Sequence, residues 1–232
     1  MFRWLRRDPK HLIKRRQSML RALVDYPPYD PPHRQGPNFP RRRPGQSEVE
    51  HEILLLRFVE RGHDNLSYFL EHRAARMTAL STFLERFDVK MGFDDAGLAA
   101  VSAWCPGNAG SLVANLRDNK TRQIFYQTLQ PWTEQWRGFN VIFDLGIFLG
   151  ESLIARSPYL HWGYEPGLSD DGVSYHSGYA IDGFKKVGNW FDPMEYIYGE
   201  CGTDEADLRA KQASYFVRAD MLVGKVRDFA TR

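Results

Sequence analysis

The segment from 132 to 157 is the most apolar in the chain, and the most apolar part of the helix expected there holds only two carboxylates, Asp144 and Glu151. Seven residues apart on a helix, they fall on nearly the same face. Burial raises the pKa of at least one such group, as general acid/base work requires. With His161 downstream they form a candidate catalytic set for an enzyme whose reaction class the sequence does not define. Their spacing speaks against paired catalysis, since seven helical residues rise about 10 Å, beyond the roughly 5 Å of a nucleophile and its acid partner. The competing reading is structural: each carboxylate is held by hydrogen bonds or by an arginine, with Arg137 and Arg156 close in sequence, because buried charges are usually paired.

Other reactive types are scattered. His161, Glu165, Asp170, Asp171 and His176 offer mixed nitrogen and oxygen ligands, but no pair has the helical spacing that sets two imidazoles around zinc. His63 and His72 would face opposite sides of one helix. No metal or cofactor is expected. Cys105 reads as a small buried side chain, or as a thiol nucleophile with no nameable partner. The glycine-rich phosphate loop, the nucleophile elbow and the dinucleotide fingerprint are all missing.

Binding chemistry has two candidate locations. Between 159 and 198 the chain concentrates aromatics, and Trp162, Tyr164, Tyr175, Tyr179 and Trp190 are the candidates for a recognition surface, since Tyr and Trp dominate protein hot spots. The alternative is an aromatic core between a sheet and helices. The run Arg41, Arg42, Arg43 is a candidate polyanion contact, or a solvated charge cluster.

These groups need elements to position them. Asp8 and Pro9 predict the start of a basic amphipathic helix over residues 9 to 24, with Leu12, Ile13, Leu20, Leu23 and Val24 on one face. Seven of the 13 prolines fall between 26 and 45, which predicts an extended linker. Ser47 and Glu50 match a capping box ahead of the apolar Ile53, Leu56 and Val59, opening a helix that should stop near Gly62; the alternative for the run from Ile53 to Val59 is a buried strand. A second helix should follow Asp64, with Leu66, Phe69, Leu70, Met77, Leu80, Leu84 and Phe87 as its apolar stripe. Asp94 or Asp95 should cap a short helix through Trp104, and another should cover 111 to 130. The stretch from 132 to 157 predicts a central helix buried on all sides, with Gly138, Gly146 and Gly150 letting neighbours approach closely.

Strands are expected over 159–164 and 173–181, where aromatic residues alternate between turn residues. A short helix over 193–198 and a last one opening at Thr203, with Leu208, Tyr215, Ala219, Leu222, Val226 and Phe229 as its stripe, complete the chain. The fold class is therefore α+β, mostly α-helical, with a central buried helix beside a small antiparallel sheet. Three units are expected: a basic helical arm over 1–25, a proline-rich linker over 26–46, and one globular domain over 47–232.

Charge divides along the same lines. Residues 1–45 carry 12 Lys/Arg against 3 Asp/Glu, a local +9, while the other 187 residues carry a local −7. The arm could fold back on the acidic body, or meet nucleic acid or an anionic membrane. Two cysteines and the lack of a secretory leader point to a reducing cytoplasm.

The sequence from Asp144 to Glu151, followed by Pro158 and Trp162, resembles a loose group of bacterial uncharacterised proteins that includes polymorphic-toxin immunity-like proteins. Their shared pattern is an apolar helix ending in Gly-Glu, a short loop, then a strand with Trp. The stretch over 80–84, Phe93 with Asp94, and residues 98–104 resemble the helical part before it, so the resemblance spans about residues 65 to 200. It implies a helical layer beside a small sheet, and a role in protein–protein interaction with a partner it does not identify. It carries over no catalytic residue.

Overall fold

The computed structural model describes residues 9–33, 42–127, 131–165, 178–185 and 189–213, with 224 and 228. Its hub is α5 (Gly138–Ile154), in which every residue from 138 to 150 is buried. An apolar helix without a polar side must be covered all round, and α5 is packed by α2 (Glu48–Glu85), by α6 (Pro193–Ala210) and by an antiparallel sheet. Gly146 admits α6: a Cβ there would lie 2.8 Å from the Met194 Cα.

Helix α2 begins at the expected capping box, with the Glu50 N–H on Ser47 Oγ (3.2 Å) and the Ser47 N–H on Glu50 Oε2 (2.9 Å). It does not stop at Gly62. The two helices expected on either side are one helix of 38 residues, about 57 Å long. The core-facing line through Phe58, Gly62, Asn65 and Phe69 keeps its register across the glycine. A mid-helix glycine costs only about 1 kcal/mol, which burial of that line offsets. Helix α3 (Asp95–Trp104) is capped by Asp94, whose carboxylate accepts from the Gly97 N–H (2.8 Å).

The helix expected over 111–130 is shorter. A 3-10 turn, Ala109–Ser111, leads into irregular chain, and α4 (Asn119–Gln127) starts only after Asn115 adopts a left-handed φ of 58°. The first strand, β1 (His161–Glu165), pairs antiparallel with β2 (Gly178–Asp182), with Trp162 opposite Ile181 and Tyr164 opposite Tyr179. Phe191 bridges to the other side of Ile181. The fold is thus α+β and mostly helical, around one central buried helix. At the far end, α6 unites the short helix expected at 193 with the one expected to open at Thr203. Most of that last helix's expected stripe, from Tyr215 on, lies outside the described residues.

The N-terminal segment departs most from expectation. Helix α1 (Lys10–Ala22) is present, with Pro9 at its N-cap position; Asp8 lies outside the described residues. Its buried line is Leu12, Arg16, Met19 and Leu23, whereas Ile13 and Val24, expected on that line, are exposed. Leu23, Tyr26 and Tyr29, expected in a separate arm and linker, lie in the same core cluster as α5. Of the proline-rich stretch, the described residues 26–33 form neither helix nor strand, and Tyr26 and Tyr29 among them are packing residues.

Candidate functional site

The polar centre of the molecule lies between α2, α5 and the segment after α1. Asp144 on α5 is fully buried. Arg76 on α2 grips it with two bonds, Nε to Oδ1 (2.8 Å) and Nη2 to Oδ2 (2.7 Å), while the Tyr26 hydroxyl donates to Oδ2 (2.5 Å). The remaining guanidinium arm, Nη1, donates to the Pro27 carbonyl (2.6 Å). Burial works against the charge of Arg76, but the facing Asp144 more than offsets this, so its pKa is raised and the guanidinium stays protonated. The Tyr26 phenol is pushed well up by burial and then by Asp144 beside it.

Two turns further along α5, Glu151 accepts from Trp162 Nε1 (2.7 Å) and pairs with Arg73 Nε (3.0 Å). Both carboxylates therefore have the hydrogen-bonded, arginine-paired surroundings of the structural reading, but the arginines are Arg76 and Arg73. Arg137 and Arg156 do not reach them, and Arg156 instead binds the Phe93 carbonyl and Asp95. His161 does not join them: alternation along β1 turns its ring away from the face on which Trp162 meets Glu151. Its Nδ1 sits 3.1 Å from the Tyr159 carbonyl oxygen on the exposed side. The set Asp144, Glu151 and His161 is not assembled.

A second buried polar knot went unnoticed in the sequence. Asp204 on α6 accepts from the N–H groups of Gly107 (2.8 Å) and Gly110 (2.7 Å). Glu205 accepts from Asn115 N–H (2.7 Å) and Leu116 N–H (2.6 Å), and pairs with Arg16 of α1 and with Arg209. Two adjacent carboxylates thus fix the irregular chain between α3 and α4, and one of them ties α1 to the body.

Two of the three aromatic candidates with described side chains turn inward. Trp162 and Tyr179 are buried on Phe69, with ring centroids 4.8 and 4.4 Å from it, so neither belongs to a recognition surface. The Tyr179 hydroxyl sits 2.8 Å from that of Tyr29. Trp190 is exposed. The Tyr164 side chain, Tyr175, and the ligand candidates Asp170, Asp171 and His176 lie outside the described residues, as does the Glu165 side chain. Among the described residues no group of three or more His, Cys, Asp or Glu is placed to hold a metal. Cys105 is buried, and burial pushes its thiol far up, which removes thiolate reactivity. Arg41 is outside the described residues; Arg42 and Arg43 are exposed in the turn closed by Gln46.

The surface that most needs explaining is on α2. None of its residues before Gly62 is buried. Ile53 lies nine positions before Gly62, about two and a half turns, which sets it on the opposite side of the helix from the core. Val49, Ile53 and Leu56 form an apolar line at i, i+4 and i+7, exposed by 65%, 43% and 58% respectively. Glu52 and Glu60 lie exposed beside this line. Sequence periodicity had marked Ile53 and Leu56 as apolar without separating this side from the core side.

No family model, curated protein or solved structure matches the chain. Among the described residues no helix is long and apolar enough to cross a membrane.

Proposed function

We propose that the chain is a binding protein that acts by protein–protein contact, in the manner of the toxin-immunity-like group it resembles, with the outer face of α2 as its contact surface. One observation carries this reading: Val49, Ile53 and Leu56 are exposed on the side of α2 turned away from the core. A helix projecting apolar anchors at i, i+4 and i+7 suits a partner's hydrophobic groove. The helix is held rigid below Gly62 by core packing, so its outer face is presented at little ordering cost. The neighbouring Glu52 and Glu60 favour a partner with a basic rim.

The test places a photo-crosslinking amino acid at Ile53, and at the exposed Thr82 as control, in cells of the source organism. One protein should be captured from position 53 and not from 82, and capture should fail in Val49→Asp/Leu56→Asp. That variant should melt within about 0.5 kcal/mol of the parent, because it removes no buried contact. The captured protein should poison cells on its own and be neutralised by the parent chain but not by the variant. Equal capture at both positions would sink the reading, and a harmless captured protein would sink its immunity part.

A further inference from the structure

We propose that the outward face of α1 is a contact site for an anionic lipid surface. This helix carries no acidic residue, and its cations divide by position. Arg16 is buried against Glu205, Arg15 reaches Asn108, and His11 meets the Leu208 carbonyl. Lys10, Lys14 and Arg21 are exposed on the side away from the core and have no ion-pair partner among the described residues. Three uncompensated cations along three turns form a positive edge on a helix whose opposite side is locked to the body.

What selects lipid over another polyanion is the apolar line beside that edge. Ile13 and Val24 are exposed by 40% and 59%, with half-buried Leu20 between them, on the same flank of the segment. Phosphate backbones reward cations and hydrogen-bond donors, and have no use for such a flank. A lipid interface rewards both, with cations at the headgroups and aliphatic tips at the acyl boundary. Ahead of Asp8 the sequence returns to the same composition, with Arg3, Arg6 and Arg7 among Phe2, Trp4 and Leu5. Contact through so few apolar side chains is peripheral, reversible and sensitive to salt.

The full chain is sedimented with phosphatidylcholine vesicles containing about a quarter phosphatidylserine, and with pure phosphatidylcholine vesicles, at low salt and at about 0.5 M salt. Binding to the anionic vesicles alone, reversed by salt, is expected. Each cation near such a surface contributes about fivefold in affinity, so Lys10→Ala/Lys14→Ala/Arg21→Ala should weaken binding by roughly a hundredfold. Ile13→Asn/Val24→Asn, which leaves the charge intact, should weaken vesicle binding several-fold and leave binding to a DNA duplex unchanged. All five side chains are exposed, so both variants should keep the parent's melting curve. Equal binding to both vesicle types, or vesicle binding untouched by the triple substitution, overturns the proposal. Vesicle binding indifferent to Ile13 and Val24 reassigns the face to polyanions in general.

Discussion

At Asp144 both oxygens accept from protein donors, and Arg76 has all three of its nitrogens engaged. Removing one partner of such a buried pair leaves the other charge without compensation. Asp144→Ala should therefore cost about 3–5 kcal/mol in urea unfolding. Glu151 pairs with the more exposed Arg73, so solvent screens the interaction and Glu151→Gln should cost no more than about 1 kcal/mol. Equal losses from the two substitutions would mean that burial does not separate them. The need for partners was legible from sequence, because two carboxylates in an apolar helix cannot be left bare. Their identity was not, since Arg76 lies 68 residues from Asp144 and no local spacing encodes a contact between distant helices. Asp204 and Glu205 were missed for a related reason. Thr203-Asp204-Glu205 has the residue types of a helix start, and composition cannot distinguish capping one's own helix from gripping the N–H groups of another loop.

Among the elements, α1 and the chain after it decide how the N-terminus behaves. The helical pattern of α1 was legible, and so was the lack of helix over the described proline-rich residues that follow, 26–33. What sequence could not show is that such backbone can be core. Without a ladder of its own, it has its polar groups met by side chains: the Tyr29 N–H donates to Asn140 Oδ1 (2.8 Å) and the Pro27 carbonyl accepts from Arg76. A chain beginning at Gln46 would lose Leu12, Met19, Leu23, Tyr26 and Tyr29, all buried. At about 1.5–3 kcal/mol per side chain, the gross loss is on the order of 10 kcal/mol, comparable with the whole stability of a domain. The truncated chain should show no cooperative thermal transition at low or high salt. A sharp transition near that of the full chain would show that the segment is separable after all. The same limit of local pattern explains Gly62, where a stop signal was overridden by a core stripe continuing in register on both sides.

In the molecule as a whole, the basic first 45 residues meet the acidic remainder through a buried ion pair and leave two faces outward. Arg16 meets Glu205 inside, while the basic edge of α1 and the apolar, acid-flanked face of α2 both look outward. The interior that holds these faces in place is rich in tyrosine. Tyr26 lies against Asp144, Tyr29 against Phe143 and Tyr179, Tyr126 against Phe125, and Tyr198 donates to the Leu116 carbonyl (2.7 Å). Burial is the leading cause that raises the pKa of all four phenols above the ordinary value near 10. Above that pH the unfolded chain releases protons that the folded chain retains, so the folded state binds more of them and stability falls as pH rises. The contribution is fully present below about pH 10 and is lost on the way to the higher folded values. Because these tyrosines come from the segment after α1, from α4 and from α6, and share one core, they should ionise together. On alkaline titration, the near-ultraviolet phenolate absorbance of these groups should rise in the same cooperative step in which the far-ultraviolet helix signal disappears. Mutating Tyr26 to Phe should remove one phenolate from that step and leave Asp144 with Arg76 alone. A gradual rise of all the phenolate absorbance centred near pH 10, with the helix signal intact, would show that the tyrosines are open to solvent and that the elements do not share one interior.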